Sequence, residues 1–227
     1  QGLPEEHWGA PRGRAVSLGI HESQSRLWEN LVGRSREFWQ FFLPQLQAVS
    51  PNFADVSLDA FYRAINTVKP SLIRVEADEV TYNLHVLLRF ELELGITRGT
   101  LSVADLPDAW RQAMKNYLGV EPENVASGAM QDVHWSAGLV GYFPTYTLGN
   151  LYAAQLFEAA TSEIKDLSGE IARGAFQPLL DWLRSRVHQK GAMHTPAELI
   201  RQATRKLPDP TAFLTHCQRK YEDIYKL

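Results

Sequence analysis

A single carboxylate near the start of the chain, Glu22, sits in the run His21-Glu22-Ser23-Gln24-Ser25-Arg26-Leu27-Trp28-Glu29-Asn30. A zinc site in a hydrolase uses protein ligands and keeps one position open for water, and two His with one Glu is a standard set. Glu22 has the right chemistry for such a ligand. It has equally the chemistry of a surface carboxylate at a helix start, favoured by the macrodipole. Two His ligands would have to come from elsewhere. H-E-x-x-H places two His one helical turn apart with a Glu general base between them, and none of the seven His residues falls in that pattern. His21 shares the helix with Glu22 but is expected to point away.

Further along, His134 lies in a loop ahead of an aromatic stretch. In acyl chemistry, His or Tyr donors aimed at a developing oxyanion lower the barrier; a capping or core His is the plain alternative. Tyr142 and Tyr146 are spaced i, i+4, so on a helix both phenols would face one way. Such pairs are usually core, but Gly141 and Pro144 interrupt regular helix here and leave room for an exposed hydroxyl. Arg74 carries a planar fork suited to a carboxylate such as a peptide C-terminus. Its simpler role is an exposed pair with Asp78, one turn on. Gln131 and Asp132 suit hydrogen bonds to a substrate backbone, or the holding of their own loop. Arg26, Glu29 and Asn30 read as support for the Glu22 helix, and His85 as an interior His. His188, His194 and His216 read as surface. Cys217 has no His–Asp context that would make it a nucleophile.

Bulk properties narrow the classes. With 227 residues and 44% hydrophobic content, the chain can bury a sizeable core. A net charge of -3 supplies no basic footprint for nucleic acid and no polybasic membrane anchor. One cysteine excludes an intrachain disulfide and fits a reducing, cytoplasmic setting. No apolar run reaches the ~18 residues that span a bilayer, and no signal peptide is visible. The first residue is Gln rather than Met, which suggests a piece of a longer protein.

The elements that must position these residues read as helices. Residues 1–14 are a loop. Apolar residues recur at helical spacing over Ala15–Val49, predicting one long helix bent at Gly33 and interrupted near Pro44. Further helices are expected over Leu58–Val68 with Ser57 as N-cap, over Glu76–Leu94 closed by Gly95, and from Asp105-Leu106-Pro107 to Gly119. Residues 120–145 should be largely loop. Helices then cover Tyr146–Asp166, Phe176–Gln189, Pro196–Lys206 and Pro210–Tyr225. With no sustained period-2 alternation the fold class is all-α, with at most a minor hairpin near residues 70–75. The Ala15–Val49 and Glu76–Leu94 helices should be among the longest.

Four strings carry a family resemblance: His21-Glu22-Ser23-Gln24; Ile73-Arg74-Val75-Glu76-Ala77-Asp78; Gly128-Ala129-Met130-Gln131-Asp132-Val133-His134-Trp135; and Gly141-Tyr142-Phe143-Pro144-Thr145-Tyr146-Thr147-Leu148-Gly149-Asn150. Together and in this order, they resemble the M32 metallocarboxypeptidases, the carboxypeptidase Taq type, over essentially the whole chain. The family's H-P-F, D-x-R-x-T and H-E-x-x-H segments have no counterpart here. In the family the second His of H-E-x-x-H precedes the Glu ligand by roughly two dozen residues, which would fall just ahead of Gln1. The resemblance therefore implies that residues 1–227 are the C-terminal part of one helical metallocarboxypeptidase domain, without its metal-binding helix and inactive alone.

The resemblance implies a zinc-dependent carboxypeptidase that releases C-terminal amino acids from peptides, with cobalt able to substitute. Glu22 would be the metal ligand. His134 with Tyr142 or Tyr146 would stabilise the oxyanion, and Arg74, Gln131 and Asp132 would place a peptide with a free C-terminus. These residues would line one helical groove. A soluble cytoplasmic homodimer is expected, with no nucleic-acid or membrane partner. The Glu22, Gln24, Glu29, Asn30 pattern also resembles thimet-type oligopeptidases, so an endopeptidase is the first rival. A non-catalytic helical interaction protein is the second.

Overall fold

The structure, a computed structural model, describes residues 2–227. Among the described residues there are ten α-helices: α1 Leu18–Arg26, α2 Arg36–Val49, α3 Leu58–Ile65, α4 Tyr82–Thr97, α5 Leu106–Leu118, α6 Pro144–Glu163, α7 Leu167–Ala172, α8 Gln177–Arg186, α9 Pro196–Thr204 and α10 Thr211–Tyr225. Among the described residues there is no strand, so the all-α expectation holds and the hairpin near 70–75 does not. That segment is irregular and contains a 3₁₀ turn over Arg74–Glu76.

The chain divides into two compact units: the residues up to Ile65 together with Leu148–Leu227, and Asn66–Thr147. The first unit is built on α1, most of α6, and α7 to α10. Ser17 caps α1, accepting from the Ile20 amide at 3.1 Å. A helix of nine residues is marginal by itself, so packing has to hold it. Ile20 and Leu27 bury in a cluster with Ala153, Leu156 and Ala160 of α6, Leu179 and Leu183 of α8, and Leu199 and Ile200 of α9. Each of the fully buried Leu and Ile side chains contributes about 1.5–3 kcal/mol. An aromatic group of Phe38, Phe42 and Phe176 flanks this core, with Phe42 and Phe176 stacked at 6.1 Å.

The expected single helix over Ala15–Val49 is two. After α1 the chain widens into a π-helical turn, Leu27–Val32, and breaks at Gly33. Ser35 then caps α2 by accepting from the Phe38 amide. Pro44 does not interrupt α2, which runs on to Val49. Pro44 has no N–H for the Gln40 carbonyl, and at the next position the Gln45 side-chain amide donates to the Phe41 carbonyl at 3.1 Å.

In the second unit, α4 begins later than expected. The Asp78 carboxylate accepts from the amides of Val80, Thr81 and Lys69 and from the Thr81 hydroxyl. This knot of bonds occupies the turn before Tyr82, so α4 begins there and not at Glu76. Gly95 does not stop α4 but lies within it. α5 starts and ends as read, with Gly119 in the left-handed region (φ 69°) as its terminating residue. Trp110, Met114 and Leu118 of α5 pack on Leu88 and Leu92 of α4. Residues 120–143 contain no α-helix. The longest helix is α6, of 20 residues, followed by α4 with 16.

Candidate functional site

In the first unit, Glu22 is on α1 with its side chain largely covered. Its Oε1 accepts from Arg26 Nε at 3.1 Å, and Arg26 Nη1 reaches Glu29 at the same distance. The i, i+4 spacing brings Glu22 and Arg26 together on one helix face, so Arg26 and Glu29 form the supporting network expected of them. Opposite Glu22 stands Gly149 of α6, where a Cβ would lie 2.7 Å from Glu22 Cγ. Gln24 bonds to Ser23 Oγ and to His188 Nε2, at 3.0 and 2.8 Å. His188 is therefore not a free surface residue as read, and burial, then Arg184, push its pKa below the usual His value. Asn30 is buried; His21 is exposed.

Among the described residues no three His, Cys, Asp or Glu side chains converge to hold a metal. Glu22 is a one-carboxylate contribution, and tight zinc binding needs three or four ligands. The donor set of these residues does not fit a complete zinc centre by itself.

In the second unit, six of the singled-out residues come together. Asp132 is shared by two guanidinium groups. Arg74 Nε and Nη2 bond its Oδ1 at 3.0 and 2.6 Å, and Arg89 Nε bonds its Oδ2 at 2.7 Å. Arg74 Nη1 donates to the Tyr82 hydroxyl at 2.7 Å. Asp78 is not the partner of Arg74, since its oxygens are spent on the turn before α4. Gln131 Oε1 accepts from the Arg74 amide and Arg89 Nη2, and its Nε2 donates to the Leu72 and Ser127 carbonyls. One amide side chain thus ties the 72–74 segment to the 127–131 loop.

His134 follows two residues later. Its Nε2 is 2.9 Å from the Tyr146 hydroxyl, and Arg74 lies over the Tyr146 ring at 4.7 Å. The Tyr142 and Phe143 rings are 5.3 and 4.3 Å from the imidazole. His134 Nδ1 makes no hydrogen bond, with Asp132 Oδ1 3.9 Å away. Such a site can hold a neutral imidazole that orients a phenol, with a guanidinium polarising the ring.

The electrostatics agree with that geometry. Burial, then the Arg74 charge, hold His134 below the usual His range. Burial opposes ionisation of Asp132, but the Arg74 hydrogen bond and the Arg89 charge prevail and its pKa falls. Burial brings Arg89 down to about 10, still charged at neutral pH. For Arg74 burial works downward, yet the Asp132 bond together with the charges of Tyr82, Asp132 and Tyr146 outweighs it and the pKa rises.

Arg89 and Glu93 are functional candidates that the sequence reading passed over. Glu93 of α4 accepts from Trp135 Nε1 and from the Gly141 amide, both at 2.7 Å. A signal existed: His85, Arg89 and Glu93 recur at i, i+4, i+8 on a helix whose same stretch carries Val86, Leu88 and Leu92. His85 is buried as expected. Its Nε2 has no hydrogen-bond partner.

Comparison with known proteins adds a relation along the whole chain. The profile of the Carboxypeptidase Taq (M32) metallopeptidase family matches residues 1–221. Thermostable carboxypeptidase 1 of Thermus thermophilus is 57% identical over 225 residues, covering 99% of this chain and 44% of that protein. Carboxypeptidase 1 of Bacillus subtilis is 42% identical over 228 residues, covering 100% of this chain and 46% of its own length. The crystal structure of an M32 carboxypeptidase from Deinococcus radiodurans R1 superposes with a TM-score of 0.95 at 45% identity, over 100% of this chain and 46% of that one. The chain thus spans a little under half the length of the relatives it matches. By the profile and these identities, it belongs to the M32 carboxypeptidase Taq family of metallopeptidases.

Proposed function

We propose that the protein is a metal-dependent carboxypeptidase that releases C-terminal residues from peptides with a free C-terminus. The observation that carries the reading is the His134 Nε2–Tyr146 hydroxyl pair at 2.9 Å, with Arg74 above the phenol. A hydroxyl so held is suited to donate to an oxyanion. Tyr146 is the donor we favour, with Tyr142 beside it.

Glu22 supplies one metal ligand, with zinc as the metal and cobalt able to replace it. The bound metal would supply an activated water and polarise the carbonyl; its remaining ligands and the general base are not among these residues. Arg74, Gln131 and Asp132 spend hydrogen bonds on one another, on Tyr82 and Arg89 of α4 and on the backbone beside them. Their part in substrate placement is accordingly to hold the surface that carries His134, while a peptide carboxylate reaching Arg74 would compete with Asp132. A cytoplasmic homodimer completes the proposal. No helix among the described residues is long and apolar enough to cross a membrane.

The test is release of the C-terminal residue from an N-blocked dipeptide by the full natural protein, with metal content measured alongside. Tyr146→Phe and His134→Gln should each lower kcat by about 10²–10³-fold. A C-terminally amidated peptide should not be cut; cutting it would favour the thimet-type endopeptidase. The 227-residue chain alone should show no turnover, and turnover by it would overturn the reading of Glu22 as one ligand of a larger set.

A further inference from the structure

Two charged residues of α4 are withdrawn from water and aimed at the same loop. Arg89 is fully buried and Glu93 is 7% exposed. They are four apart and so lie on one helix face. An Arg and a Glu at that spacing ordinarily pair with each other, but no ion pair joins these two. Each reaches across to the loop instead.

Their targets bracket His134. Arg89 binds Asp132 and Gln131 on the upstream side, and its Nη1 is spent on the His85 carbonyl at 2.8 Å. Glu93 binds the Trp135 indole immediately downstream and the Gly141 amide at the far end of the loop. The backbone at His134 is therefore fixed on both sides within a few residues. Trp135 is further gripped by Trp110, edge to face at 6.2 Å, and by Phe143 at 5.7 Å. Phe143 in turn packs against the imidazole.

Burying an Arg and a Glu carries a large desolvation cost, and well-packed apolar residues often do as well or better for stability alone. What apolar residues cannot supply is direction. Each of the four bonds to the loop fixes a named loop atom 2.7 Å from a side chain of one helix. We propose that Arg89 and Glu93 are positioning residues that set the place of His134 and, through it, of the Tyr146 hydroxyl. The catalytic consequence rests on the carboxypeptidase reading; the geometric one does not.

The experiment uses Glu93→Gln, Arg89→Lys and Trp135→Phe in the full natural protein. Glu93→Gln keeps size but turns an amide N–H₂ toward one of two donors. Arg89→Lys keeps charge but cannot span Asp132, Gln131 and the His85 carbonyl at once. Trp135→Phe keeps an aromatic ring against Trp110 and Phe143 but removes the indole N–H and its bond to Glu93. A Leu118→Ala control loosens the same unit without touching these bonds. Measurements are kcat and KM on the N-blocked dipeptide, metal content, and the titration of His134 by NMR on histidine-labelled protein, assigned with His134→Gln.

For Glu93→Gln and Arg89→Lys, kcat should fall about 10–100-fold, the range a displacement near 1 Å produces. KM should stay within about 3-fold of the parent and metal content should be unchanged. The His134 midpoint should drop in Glu93→Gln, which removes a nearby negative charge. Trp135→Phe should move the His134 resonances and lower kcat less; it decides the matter if Glu93→Gln does not fold. Leu118→Ala should leave kcat and the His134 signals near the parent. Parental kcat with unmoved His134 signals in the folded variants would overturn the proposal, as would a kcat loss of equal size in Leu118→Ala. Full activity in His134→Gln would sink the catalytic reading alone, and the NMR response would still decide what α4 positions.

Discussion

Gly149 of α6 faces the side-chain root of Glu22 on α1 so closely that a methyl group there would lie 2.7 Å from Glu22 Cγ and 2.8 Å from Cβ. Real Cβ atoms do not come that near. Any side chain at 149 must push Glu22 aside or part the two helices. Gly149→Ala should therefore destabilise the protein by about 1–3 kcal/mol, the range for overpacking. It should also reduce retained metal after dialysis. Urea unfolding and metal analysis check both. Parental stability with full metal would show that the helices can yield here.

Glu22→Gln separates ligation from folding. The amide oxygen can still accept from Arg26, which also keeps its bond to Glu29, so the largely covered pair is weakened rather than broken. Metal-free protein should lose no more than about 1–2 kcal/mol of stability. Metal content and activity should both be lost, because an uncharged amide is a poor zinc ligand. A Glu22→Gln protein that keeps its metal would end the ligand assignment.

Asp132→Asn removes the charge shared by Arg74 and Arg89. Breaking a buried pair by neutralising one partner costs about 3–5 kcal/mol, because the other charges stay buried. Here two guanidinium groups are left with less than they need. Equilibrium unfolding in urea should fall by that amount. Adding Arg74→Met should recover part of the loss. Strict additivity of the two changes would contradict the shared network.

His85 makes stability depend on pH. Burial, then the charges of Arg89 and Arg74, lower its pKa from 6.5 to about 4. The unfolded chain takes up a proton near 6.5 that the folded chain refuses until about 4. Its contribution is therefore fully present above pH 6.5 and is lost as pH falls through that window. The loss reaches roughly 3 kcal/mol at the acid end. His85→Gln should flatten the stability profile between these limits relative to the parent. Matching slopes in the two proteins would refute it.

The helices were legible because their signals are local. Ser17, Ser35 and Ser57 cap as their type dictates, Gly119 terminates α5, and apolar spacing marks the buried faces. The errors came where a side chain from further along the chain overrode the pattern. Asp78 takes Lys69 and Thr81 into one turn and delays α4. In the same way His188 is drawn to Gln24, 164 residues away. His134 and Tyr146 stood out by residue type. Arg89 and Glu93 did not, because a charged residue on a helix reads as solvent-facing until its partners, more than 40 positions away, are in place.

The π-helical turn at Leu27–Val32 acts as a change of phase. A widened turn holds one residue more than an α-turn, and one residue is about 100° of helix rotation. Glu22 ahead of the turn and Gly33 at its end therefore keep two different registers. When relatives are aligned, a one-residue gap inside 27–32 is a structural event, and one placed outside it misassigns every face that follows. The same holds for engineering: deleting one residue within the turn would rotate α1 by about 100° against the segment that follows, whereas a loop tolerates the same edit without turning either.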